Sequence, residues 1–212
     1  MTHVDMRALS QRTRALDASR ASLDAHAFCS VCDDAASALD ALGVAFAPAS
    51  ADVRENIARV RASARACERA TTSIASANER SMTSLWEVLR REKASGRARD
   101  ARSVARGALW LKRFLEFTCA LLRAIGSDAT MDVGDAAKTS YEKTLKRYHG
   151  WLSRTAFAVV LAFPPSTETF VDALGGSDAR SAMVDVADGF DPVLALIDEF
   201  LSEEGLNDPT PA

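Results

Sequence analysis

A chain of 212 residues, 48% hydrophobic and 26% charged, is long enough to bury one sizeable core. Abundant alanine with few glycines and prolines favours helix almost throughout, and β-branched residues do not cluster into strands. The longest apolar run, Ala156 to Phe163, is too short to span a bilayer, and the first residues lack the apolar stretch of a signal peptide. Asp5, Asp17 and Asp24 argue against a transit peptide, so a cytoplasmic protein is expected.

In chain order, residues 1–24 read as a helical or loosely ordered arm, and residues 25–205 as one domain. A helix is expected from Ala25 to Leu42, ended by Gly43, with Pro48 in the following connector. Ser50 is a good N-cap for a helix reaching Ala77, whose buried face carries Val53, Ile57, Val60 and Ala64. Asp52, Asn56 and Arg59 form their own stripe on that helix, about 100° round from the apolar one.

Another helix is expected to begin at Ser81, with Leu85, Val88 and Leu89 inward and Trp86 flanking them, and to break at Ser95-Gly96. Next comes a helix from Arg99 to Ile125, stopped by Gly126. In it Val104, Ala108, Leu111 and Leu115 make an apolar stripe, while Arg106, Trp110, Arg113 and Phe117 make an opposed stripe of cations and aromatics. A long helix is expected from Ala136 to Phe163, closed by Pro164-Pro165, and a short one from Thr167 to Leu174. The last helix should start at Asp191 as N-cap with Pro192 in its first position. Residues 206–212 should fray. The sum is an all-α chain of about eight helices.

The net charge of −3 hides a basic run over residues 90–113 and an acidic stretch after Glu168. On charge alone, a solvated basic face explains the run more economically than an anionic partner, whether nucleic acid or a membrane surface. Cys29 and Cys32 form a CxxC without a preceding strand or further ligands, so buried structural thiols are expected, with neither a metal nor another cofactor. HExxH, P-loop, GxGxxG and GxSxG patterns are all missing from the sequence, and no nucleophile accompanies an Asp52/His149 pair, so an enzyme is not expected. His149 shares a helical spacing with Leu145, Leu152, Ala156 and Phe163, which puts an imidazole among aliphatic side chains. Each of these polar groups alone would be an ordinary core or surface residue; their combination on three helices points to binding.

Three segments carry a resemblance: Asp52-Val-Arg-Glu-Asn56-Ile-Ala-Arg59, Ala108-Leu-Trp110-Leu-Lys-Arg113, and Lys146-Arg-Tyr-His149-Gly-Trp151 with Tyr141 before it. In this order and spacing they resemble the glycolipid transfer protein family over roughly Ala25 to Leu174. The resemblance implies a two-layer all-α sandwich, monomeric, that holds one sphingolipid and moves it between membranes while touching their surfaces transiently. By that resemblance the headgroup falls to Trp110 as stacking platform with Asp52, Asn56 and Arg59. Asp52 and His149 would grip the ceramide amide and hydroxyl. Leu145, Phe157, Leu161 and Phe170 would help line the acyl-chain tunnel, and Trp151 would meet the membrane.

Two positions depart from the sugar-binding pattern. Arg59 stands where the family has lysine. Arg106, one turn before Trp110, resembles the ceramide-1-phosphate-binding branch, which also has arginine at the position of Trp110 and lysine at that of Asn56. A glycosylceramide ligand is therefore the first expectation and ceramide-1-phosphate the alternative. A non-transferring sphingolipid sensor or a helical interaction module is a further alternative.

Overall fold

The computed structural model describes residues 4–16, 23–72 and 83–210. Its described residues form nine α-helices in a two-layer sandwich, with a lone antiparallel bridge between Asp24 and Ser84 in place of any sheet. None of these helices is long and apolar enough to cross a membrane.

Helix α1 (Met6–Ala15) packs against α9 (Ala179–Glu203) and buries Met6, Leu9 and Thr13. Ion pairs from Arg14 to Asp185 and from Arg12 to Asp34 fasten it. The segment expected as an arm thus contributes a helix to the core, because its apolar residues recur at helical spacing once Asp5 caps the start.

Helix α2 (Ala25–Asp40) is capped by Asp24 and pairs with α3 (Ala47–Thr72). α3 begins before the expected Ser50. A 3₁₀ turn at Val44–Phe46 leads into it, Pro48 sits in its first turn where the missing N–H is harmless, and Ser50 is buried inside the helix. The helix end expected near Ala77 and the start expected at Ser81 lie outside the described residues.

Helix α4 (Leu85–Ala94) has Ser84 as its N-cap, and Trp86 is buried rather than flanking, stacked on Phe200 with ring centroids 4.5 Å apart. The cysteines are buried thiols; burial pushes Cys29 and Cys119 up to about 12.

Helix α5 (Val104–Ser127) is the centre of the packing and touches α2, α3, α4, α6 and α9. Ser103 and the Glu92 carboxylate satisfy its first amides, Glu92 accepting from Val104 and Ala105 at 2.7 Å each. Gly126 does not stop this helix. It lies within the last turn, and a Cβ there would come 2.6 Å from the Arg180 carbonyl oxygen and 2.8 Å from Val184, so glycine lets α5 and α9 approach closely.

The expected long helix 136–163 is two helices. α6 (Val133–Lys143) ends after Tyr141, a 3₁₀ turn covers Lys146–Tyr148, and α7 (Trp151–Val160) starts from Gly150. His149 lies in the break with extended backbone (φ −91°, ψ 129°), so it belongs to no helix stripe. Helix α8 (Thr167–Ala173) follows, capped by Ser166. α9 begins well before Asp191 and carries Pro192 in its interior; Ala182, Met183, Val186 and Phe190 already bury its first half against α1 and α5.

Candidate functional site

The two sides of α5 have different work. Toward α9, Lys112 is buried and pairs with Asp198 and Glu116, while Arg123 bridges Asp188 and Asp191. Toward α3 and α7, the Arg106, Trp110, Phe114 and Phe117 side faces a cavity of about 450 Å³. Such a volume falls in the usual range for small-ligand sites.

The polar end of the cavity is built from α3. Asn56, only 5% exposed, donates from Nδ2 to the Asp52 carbonyl at 3.0 Å and to the Asp52 carboxylate at 3.3 Å. Arg59 donates to the Asn56 side-chain oxygen at 3.0 Å and to Glu55 at 3.1 Å. The chain of bonds fixes the orientation of all three groups before anything binds. Desolvation raises the Asp52 carboxyl pKa, helped by the nearby charge of Glu55 and opposed by Arg59 and the Asn56 bond. Gly107 of α5 lies beside this patch, where a Cβ would meet Asn56 and Arg59 at ordinary contact distances of 3.5–3.6 Å.

Trp110 is half-buried across the cavity from these groups, and its ring lies 5.6 Å from that of His149. His149 Nδ1 is 3.2 Å from the Tyr141 hydroxyl. Burial lowers its pKa from the ordinary 6.5, and the charges of Arg154 and Arg113 lower it further, so the imidazole is held neutral. In the tautomer whose Nδ1 accepts from the Tyr141 hydroxyl, Nε2 carries the ring proton and can donate.

Beyond this polar end the lining turns apolar. Phe157 stacks on Tyr141 with centroids 4.3 Å apart and makes edge contacts with Phe46 and Phe117. Leu39, Val53, Leu111, Leu145 and Val160 complete the wall. One chamber therefore joins hydrogen-bonding groups at one end to aromatic and aliphatic groups at the other.

The structure brings together Asp52, Asn56, Arg59, Arg106, Trp110, His149, Leu145 and Phe157 around this chamber. It places Leu161 and Phe170 elsewhere: Leu161 packs at the end of α7, and Phe170 is fully buried in α8, neither among the lining residues. Trp151 opens α7 and is 80% exposed. Sequence reasoning missed the support behind Trp110. Arg113, 2% exposed, lies 3.6 Å from the Tyr148 ring centroid and 4.9 Å from that of Trp110, and it donates to the main-chain oxygen of Asp208. Its place on the same stripe as Trp110 was the available signal; its partners come from distant parts of the chain.

A second cavity of about 510 Å³ lies between α3, α4 and the start of α5, lined by Arg91, Glu92, Arg97 and Arg102 among others. Glu92 is engaged as the cap of α5, Arg91 pairs with Glu87, and Arg97 bonds Ser95. Much of the basic run is likewise committed internally: Arg90 and Lys93 meet Glu204, and Lys112 meets Asp198.

Fold and chamber together define an all-helical sandwich with an amphiphilic cavity between its layers. Comparison with known proteins agrees: the family model for glycolipid transfer protein (GLTP) matches residues 23–176. The chain belongs to the glycolipid transfer protein family. It is 30% identical to glycolipid transfer protein 3 of Arabidopsis thaliana over 174 residues, which is 82% of this chain and 69% of that protein. It is 33% identical to human pleckstrin homology domain-containing family A member 8 over 149 residues, 70% of this chain but 26% of that protein. Against other Arabidopsis relatives the match spans less than two thirds of their length. Among solved structures, the GLTP-fold of FAPP2, described as selecting simple glycosphingolipids, superposes with a TM-score of 0.78 at 26% identity, covering 94% of this chain and 95% of that one. Human ceramide-1-phosphate transfer protein superposes at 0.76 with 19% identity, covering 97% and 99%.

Proposed function

We propose that this protein binds one sphingolipid, a glycosylceramide, in the α3–α5–α7 chamber and carries it between membranes without chemical change. The observation that carries this reading is the joining of an aromatic platform to a fixed hydrogen-bonding patch at the mouth of an apolar cavity. A tryptophan face suits the C–H side of a pyranose ring, while a carboxylate, an amide and a guanidinium fix its hydroxyls. Asp52 as acceptor and His149 Nε2 as donor complement the amide N–H, hydroxyl and carbonyl oxygen of ceramide.

The acyl chains belong in the apolar end, entering past Phe157. Each buried methylene is stabilised by about 0.8 kcal/mol relative to water, in the chamber as in the bilayer. Loading is therefore an exchange between two apolar environments, which needs contact with a membrane and no catalysis. Trp151 suits that contact: an indole standing out of the protein prefers the membrane–water boundary, and Val159 and Phe163, 60% and 73% exposed, add apolar surface on the same stretch of chain. The protein would then meet membranes peripherally and act as a monomer.

Glycolipid rather than phosphate is favoured by Trp110 and Asn56, which leave a phosphomonoester of nearly two charges with too few cations. The relatives point the same way, since a glycolipid transfer protein is matched at 30% identity and a glycosphingolipid-selecting structure at 26%. Ceramide-1-phosphate is the second reading, and Arg106 on the cavity wall is the observation that supports it. The test is transfer of labelled glucosylceramide between phosphatidylcholine vesicles by Trp110→Ala. Loss on the order of tenfold, equivalent to about 1.4 kcal/mol, is expected with unchanged helical circular dichroism. Full activity in that variant rejects the stacking role.

A further inference from the structure

Arg106 stands in the wall between two cavities. One is the headgroup chamber; the other, about 340 Å³, lies between the turn before α5 and the segment after α9, where Arg99 and Asp100 face Asn207 and Asp208. That second segment is firmly placed. Leu206 and Asn207 donate their amides to the Leu201 carbonyl at 2.7 and 3.1 Å, and the Asn207 side chain bonds Asp198 and Ser202. The main-chain oxygen of Asp208 accepts from Arg113, the guanidinium behind Trp110. The Asp208 carboxylate accepts from the Thr210 amide at 2.9 Å. Those bonds to Thr210 hold its pKa below the ordinary value, and the fields of Arg106 and Arg113 add to the effect.

We propose that Asp208 is a charge gate on the headgroup site: its fixed carboxylate, across the cleft from Arg106, competes with any anionic headgroup for that cation and biases the chamber toward uncharged sugars. This rests on the sphingolipid reading above. An anion reaching Arg106 from the chamber side meets a guanidinium whose field is already partly compensated, together with the repulsion of Asp208 itself. A neutral sugar meets neither penalty. Arg106 thus coexists with a glycolipid preference through a residue roughly a hundred positions away in sequence.

Asp208→Asn is a clean probe, because Arg113 is held by the main chain of Asp208 and an asparagine oxygen can still accept from Thr210. Transfer of glucosylceramide and of ceramide-1-phosphate between phosphatidylcholine vesicles is compared for wild type, D208N, R106L and the double variant. D208N should raise the ratio of ceramide-1-phosphate to glucosylceramide transfer about two- to fivefold at low salt, the range for an exposed charge interaction. The gain should shrink at about 0.5 M salt, where screening reaches a few ångströms, and vanish when Arg106 is leucine. An unchanged ratio in D208N, or a gain that survives R106L, overturns the gate while leaving lipid transfer standing. Failure of wild type to move either lipid overturns the lipid reading and the gate with it.

Discussion

The α9 side of α5 and its cavity side make an instructive contrast on one helix. Toward α9 the surfaces meet at backbone distance around Gly126, and the charges of Lys112 and Arg123 each find carboxylate partners. Toward α3 and α7 the helix meets a chamber, and its Trp110 and Arg106 reach partners through rings and fields more than through ion pairs. α7 itself leaves Trp151 and Val159 in solvent, with Phe163 just beyond its end. One side is complete as folded. The other leaves a chamber open and apolar side chains exposed beside it, which suits a surface that takes a ligand.

The largest expected effect breaks the closed side. Gly126→Ala forces a methyl against the Arg180 carbonyl and should destabilise the fold by about 1–3 kcal/mol, lowering the midpoint of thermal unfolding by roughly 3–10 °C. The lipid-binding stoichiometry of the folded fraction should not change. Normal stability in a calorimetric scan would mean that the two helices can separate without cost, and the contrast would lose its rigid half.

On the open side, Trp151→Ala should leave unfolding untouched and slow vesicle-to-vesicle transfer roughly three- to tenfold. Binding of a soluble short-chain glycosylceramide should persist. Equal loss of binding and transfer would move Trp151 from the membrane-contacting surface into the binding site.

The smallest effect concerns protons. Burial lowers the His149 pKa below 6.5, so the unfolded chain takes up a proton more readily than the folded one, and the stability His149 contributes is lost as pH falls below 6.5. Asp52 has the opposite sign: its raised pKa makes the folded state the better proton acceptor, so its contribution is lost as pH rises above 3.8. Thermal melts of His149→Gln should therefore show a flatter pH dependence than wild type just below pH 6.5. Parallel curves would show that the imidazole is not held neutral by its site.

Much of the open side was legible because helical periodicity reports it directly. Asp52, Asn56 and Arg59 share one stripe of α3, and Arg106 and Trp110 share one of α5; both stripes line the chamber. The break at His149 was hidden because Leu145, Leu152, Ala156 and Phe163 keep a helical spacing across it, although Gly150 stands at the start of α7. Phe170 shows a different limit: periodicity shows that a side chain points inward but not which neighbours it meets, and this one is buried in α8 and is not among the residues lining the chamber. Gly126 and Pro192 punctuate helices in isolation, yet here close packing between α5 and α9 overrides both signals. The Arg113–Asp208 contact spans distant segments, a pairing that no local pattern encodes.

The central claim is that the chamber takes one sphingolipid. Native mass spectrometry of the protein after incubation with vesicles containing glucosylceramide and ceramide-1-phosphate in equal amounts tests it most directly. The account predicts a single adduct per chain, with the mass of intact glucosylceramide in excess over ceramide-1-phosphate, and its loss in Trp110→Ala. Protein that emerges without bound lipid, or with phospholipid in its place, contradicts it.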